Sequence, residues 1–289
     1  MPITTTQLER RRRHLGSSDM ASILGLSPYS TAYDVWAMKT GRLPDTEETA
    51  SMKAGTFFED GVLAYAEEKL GTLIRNQYRS VKDRGIPIGA NVDAIVVQTG
   101  EPVEAKTVGL LGFTNELWGD EGTDEVPDRV LIQATVHMIC TEQELCHVAA
   151  FIAGRGFVPF VVRRDEDVVN VVKDTAVQFW EKFVLTDTPP DYSLPSAKTV
   201  ARMRRTPAST VAIDSHLVKV WNLAKAVEKQ AKEQTESAKI ALLAALGDAE
   251  AGECEEGLVT FFEQTRKEAI VKESTFRVLR FKKAKENSL

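Results

Sequence analysis

The chain is poor in cysteine, with only Cys140, Cys146 and Cys254 in 289 residues. The number is odd and no two form a Cys-x-x-Cys pair. That argues against a disulfide framework, a structural zinc site and a four-cysteine iron–sulfur cluster. The four histidines are scattered, which argues against a histidine-based metal centre. No apolar run approaches the roughly 18 residues of a membrane span, and the amino terminus is polar, then basic, without a signal-peptide core. A cytoplasmic location with no membrane association is expected. Positive charge is also short: 36 Lys and Arg face 42 Asp and Glu, for a net charge of −6. A general basic field is excluded, so any contact with nucleic acid has to be local. The balance is uneven, with 20 Lys and Arg against 29 Asp and Glu up to residue 199, and 16 against 13 after it.

What is present centres on Gly89 to Lys106, GANVDAIVVQTGEPVEAK. A β-branched run beginning near Val92 carries Asp93, Thr99-Gly100 makes a turn, and a second run from Pro102 carries Glu104 and Lys106. Successive side chains of a strand alternate faces, so Glu104 and Lys106 point the same way with Ala105 between them. Burying such charges costs several kcal/mol each unless they pair or bind a metal. If the hairpin brings Asp93 alongside Glu104, two carboxylates and the Ala105 carbonyl form a hard oxygen site suited to Mg²⁺ or Mn²⁺. Lys106 would then orient or deprotonate an attacking water, the arrangement of metal-assisted phosphodiester hydrolysis. The plain alternative is a surface hairpin with a cross-strand ion pair worth under about 1 kcal/mol. The pattern resembles the PD-(D/E)xK nuclease core, with Val92 where that family's name puts proline.

Upstream, Thr4-Thr5-Thr6 reads as a helix cap, and Arg10 to Arg13 precede Leu15-Gly16-Ser17-Ser18-Asp19. Arginines before a glycine-serine turn that opens a helix bring guanidinium, hydroxyl and free N–H groups together, as a phosphate site does. A solvated basic stretch and an ordinary cap give the same letters. The string Arg-x-x-x-Leu-Gly-Ser-Ser-Asp, with Ile23-Leu24-Gly25-Leu26-Ser27-Pro28-Tyr29 and Tyr33 to Gly41, resembles the opening of the YqaJ-type viral recombinases, phage nucleases of the lambda-exonuclease kind. The family's tryptophan upstream of this arginine is replaced by Gln7.

The resemblance implies that Arg11 and Ser18 hold the 5′-phosphate of a DNA end. Gly55-x-x-x-Glu59, on an amphipathic helix from Met52 towards Leu70, resembles the family's first acidic motif, which implies that Glu59 supports the metal. Pro127 opens a helix through Ile139 on which Gln133 and His137 share a face, and Gln133 matches the glutamine that reaches the family's active site. His137 reads equally as a buried structural residue. Trp118, in the acidic glycine-containing stretch Gly109 to Val126, reads as a DNA contact or a packing residue.

Leu73 to Ser80, His147 to Ala153 and Phe157 to Arg163 read as further strands, and a helix runs from about Arg164 to Phe183, stopped by Pro189-Pro190. The expected fold is α/β (α+β), a restriction-endonuclease-like core with a mixed central sheet flanked by helices over residues 1–190. A linker, 191–212, and a helix-plus-hairpin appendage, 213–289, follow. Ile213 to Leu246 lacks Pro and Gly and is expected as one helix of about 50 Å ended by Gly247. Leu217, Val220, Ala224, Val227, Ala231, Ala238, Ala241 and Ala245 fall on a 3-4 spacing interrupted by Gln234, which fits a coiled-coil seam or a helix packed on a neighbour. Gly257 to Gln264 and Phe276 to Phe281 read as two strands, their basic end a contact for DNA or a partner, or solvated surface.

Together these readings imply a Mg²⁺- or Mn²⁺-dependent 5′→3′ exonuclease on double-stranded DNA ends. Asp93, Glu104 and the Ala105 carbonyl would hold metal, two ions per site, with Lys106 and Gln133 positioning water and scissile phosphate. The resemblance further implies a trimeric ring, a single-strand annealing protein as partner, and a phage or prophage origin in a bacterial cytoplasm. The other readings are a related endonuclease or single-strand-specific nuclease, and a non-catalytic recombination scaffold.

Overall fold

The structure is a computed structural model that describes residues 12–43, 50–83, 85–109, 118–203, 210–263 and 265, with no side-chain description at 50–52. It divides into two compact units, Met1–Arg205 and Thr206–Leu289. The first holds helices α1 (Ser17–Ile23), α2 (Ala32–Lys39) and α3 (Ala50–Leu70), then strands β1 (Leu73–Ser80), β2 (Gly89–Val96) and β3 (Pro102–Val108). Helix α4 (Asp128–Thr141), strands β4 (Leu145–Ile152) and β5 (Gly156–Arg163), helix α5 (Glu166–Phe179) and the short α6 (Ala197–Arg202) complete it.

The five strands form one mixed sheet in the order β1-β2-β3-β4-β5. Only β3 and β4 are parallel; the other neighbours are antiparallel. A parallel pair needs a long crossover, and the segment carrying α4 supplies it. Pro159 lies in β5, at the sheet edge where a missing N–H breaks no ladder.

Alternation in β4 divides the core. Cys146, Val148, Ala150 and Ile152 pack with Val130, Ala134 and Met138 of α4, whereas Ala149 packs with Val62, Leu63 and Ala66 of α3. The other side of α4, through Ile132, Val136 and Ile139, packs on α1 and α5 in a cluster that α2 also joins. Gln133 and His137 are both buried on this helix.

Several boundaries differ from expectation. Pro127 is the N-cap rather than the first residue of α4, with ψ 142° outside the helical region. Helix α3 begins at Ala50, two residues before the expected Met52. Helix α5 ends in one π-helical turn, Trp180–Val184. Trp118 packs: it is buried and its ring lies 5.4 Å from that of Phe160.

The second unit holds α7 (Ser215–Leu246) and the hairpin β6 (Ala251–Cys254) and β7 (Gly257–Thr260). The strand read from Gly257 therefore pairs with Ala251–Cys254. The expected strand at Phe276–Phe281 lies outside the described residues. Among the described residues no helix is long and apolar enough to cross a membrane.

Candidate active site

The β2–β3 hairpin turns at Gly100, whose φ of 80° suits glycine. Its register pairs Ala94 with Val103 and Ile95 with Pro102. One step further brings Asp93 to Glu104, and there a side chain takes over: Asp93 Oδ2 accepts the Ala105 N–H at 2.9 Å. Glu104 is only 3% exposed. Its Oε1 pairs with Lys106 Nζ, on the same face of β3 as the period of two requires. Its Oε2 lies 3.1 Å from His137 Nδ1, yet the angles make no hydrogen bond, and Glu104 Oε2 and both His137 ring nitrogens have no partner among the described residues.

Electrostatics separates the two carboxylates. Burial, and then the charge of Glu104, push the Asp93 pKa well above the usual carboxylate range. Burial also acts to raise Glu104, but Lys106, His137 and Arg129 outweigh it and hold its pKa below the usual value. Burial pushes the His137 pKa down, against the pull of Glu104. Glu59 on α3 is pushed up by burial, then by Asp60 and Glu104. Two carboxylates whose charges oppose each other in a buried site favour a cation between them.

A cavity of about 610 Å³ opens onto this group. Asp93, Glu104, Ala105, Lys106, Glu59, Gln133 and Ser18 all line it. Gln133 donates from Nε2 to Ser18 Oγ at 2.9 Å, joining α4 to the first turn of α1, while its buried Oε1 has no partner among the described residues. Arg11 lies outside the described residues.

Lys39, Tyr78 and Arg129 also line the cavity, and none was assigned a role there from the sequence. Lys39 Nζ, its side chain 1% exposed, reaches Asp19 Oδ2 at 2.5 Å and the His14 carbonyl at 2.7 Å. The same Asp19 oxygen accepts the Gly16 N–H at 2.8 Å, so Lys39 and Asp19 pin the turn that leads to Ser18. Tyr78 Oη meets His14 Nδ1 at 2.9 Å at another wall. Arg129 stands four residues before Gln133 on α4. Helical spacing could have found Arg129, whereas nothing periodic marks Lys39 or Tyr78.

Residues 7–144 match the YqaJ-like viral recombinase domain. YqaJ of Bacillus subtilis (strain 168) is 28% identical over 182 residues, 62% of this chain and 56% of that protein; the chain thus spans little more than half its length. The crystal structure of LHK-Exo in complex with dAMP overlays with a TM-score of 0.48 at 14% identity, covering 64% of this chain and 94% of that one; LHK-Exo is an alkaline exonuclease from Laribacter hongkongensis. A phage-related exonuclease from Haemophilus somnus overlays with a TM-score of 0.41 at 12% identity, covering 61% and 96%.

The domain family implies a divalent metal, and the donors present fit one. Among the described residues no three or more His, Cys, Asp or Glu side chains gather closely enough to hold an ion. Mg²⁺, however, is commonly held by one or two carboxylates and completes its shell with water and substrate oxygens. Asp93 and Glu104 both line the cavity, and the buried Glu104 Oε2 makes no hydrogen bond among the described residues, which meets that requirement.

Proposed function

We propose that this chain is a metal-dependent deoxyribonuclease that degrades the 5′-ended strand at the ends of double-stranded DNA, leaving 3′ single strands for recombination. The observation that carries this reading is the meeting of Asp93, Glu104 and Lys106 in the same cavity as Ser18 and Gln133. A divalent ion, Mg²⁺ or Mn²⁺, supplies charge neutralisation at the phosphoryl oxygens and a more acidic water. Asp93, Glu104 and the Ala105 carbonyl would hold it, and Glu59 would support a second ion.

The protein's own groups do the rest. Lys106, steadied by Glu104, holds the attacking water and takes part in its proton transfer. Gln133 presents its amide towards the scissile phosphate while tethering Ser18. Ser18 and Arg11 receive the 5′-phosphate that each cleavage exposes, so every product end is again a substrate. A trimeric ring around the duplex, a single-strand annealing partner and action in a bacterial cytoplasm on behalf of a phage or prophage complete the proposal. The test is digestion of matched linear and covalently closed circular duplexes with Mg²⁺. Loss of linear DNA alone is expected; equal cutting of circles would mean an endonuclease, and no metal-dependent cutting would mean a scaffold.

A further inference from the structure

Helix α7 has 32 residues and none of them is buried. Leu217, Val220 and Val227 are 63%, 51% and 58% exposed. Helical stability in proteins comes chiefly from packing an apolar face, and a contiguous exposed apolar face marks an interaction surface. With Leu217 at position a of a heptad, the a and d positions run Leu217, Val220, Ala224, Val227, Ala231, Gln234, Ala238, Ala241, Ala245. The flanking e and g positions, from Trp221 and Leu223 to Leu242 and Ala244, contain one charge, Glu228. All other charges of the helix lie at b, c and f, where Lys229–Glu233 and Glu236–Lys239 pair along the helix.

The seam also says what covers it. Laid parallel and in register on a second copy, it stacks alanine on alanine in several layers and glutamine on glutamine, leaving voids. Laid antiparallel, where a faces d, it sets Leu217 against Ala241, Val220 against Ala238, and Val227 against Ala231. Each layer then joins a large side chain to a small one, as close packing requires. The helix is about 48 Å long and about 10 Å wide. Two copies would bury about 1,000 Å² in all, the threshold of a specific interface.

We propose that α7 pairs antiparallel with α7 of a second copy of this chain. This association is separate from the cavity and independent of the proposed nuclease activity. It is tested in the full chain carrying Cys254→Ser, because Cys254 is the exposed cysteine and Cys140 and Cys146 are buried. Val220→Cys and Ala238→Cys proteins, mixed and oxidised, should form a disulfide-linked pair, and either alone should not. Val220→Cys cross-linking to itself would indicate parallel pairing and overturn the proposal. In sedimentation equilibrium, Val220→Asp with Val227→Asp should halve the mass of the wild-type particle without lowering its helix content. An unchanged mass would overturn it too, pointing to a different protein as the occupant of this face.

Discussion

Lys106 and Glu104 form a pair in which each group explains the other's burial. Replacing Lys106 by Met removes the amine to which the proposed mechanism assigns the proton of the attacking water. Under the proposed mechanism kcat should fall by about 10²–10⁴-fold, measured on linear duplex with Mg²⁺. The neighbouring Asp93 makes a prediction about pH. Its pKa is raised by burial and Glu104, so its contribution to stability is present below the ordinary value of 3.8 and lost as pH rises through the raised one. Glu104 has the opposite sign: its contribution is present above 4.5 and lost as pH falls through its depressed pKa. Asp93→Asn should therefore raise the Tm of metal-free protein by a few degrees at about pH 8, with the gain shrinking towards pH 4. No gain at pH 8 would contradict the electrostatic reading. Lys39 is a third case. Breaking a buried pair from one side leaves a stranded charge, so Lys39→Met should cost about 3–5 kcal/mol in urea unfolding. The double variant with Asp19→Asn should recover part of that loss.

At the level of elements, the wall of the cavity depends on close approach between β1 and β2. A Cβ added at Gly89 would stand 2.6 Å from Tyr78 Oη and 3.1 Å from the His14 ring. Gly89→Ala should then displace the Tyr78–His14 pair and cost about 1–3 kcal/mol, read by thermal unfolding. The β2–β3 hairpin and α4 were legible in the sequence because their signals are local. An alternating run, a Thr-Gly turn and a proline ahead of a helix set these elements within about three residues, and the hairpin register carried Asp93 to Glu104. The Ser18–Gln133 bond was not legible, since it joins residues 115 apart through the packing of α1 on α4. The Lys39–Asp19 pair stayed hidden for the same reason: a lysine at a helix end ordinarily faces water. Strand β6 was missed because Ala-Gly-Glu-Cys contains no β-branched residue and gains its structure from pairing with β7.

For the molecule as a whole, the charge distribution limits how DNA can be held. With a net charge of −6 and, among the described residues, Lys106 and Arg129 lining the cavity, binding through this site would neutralise few phosphates at once. The plot of log binding constant against log salt for duplex DNA should be shallow, with a slope magnitude of about 2–4. A slope near 10 would require a basic surface elsewhere. The central claim is that one cavity holds a 5′ end and cuts beside it. It is tested most directly on a linear duplex with a 5′-phosphate at one labelled end, incubated with Mg²⁺ and followed strand by strand for the wild type and Lys106→Ala. Loss of the phosphorylated strand from its 5′ end, abolished by the substitution, is expected. Degradation from the 3′ end, or full activity in Lys106→Ala, would contradict it.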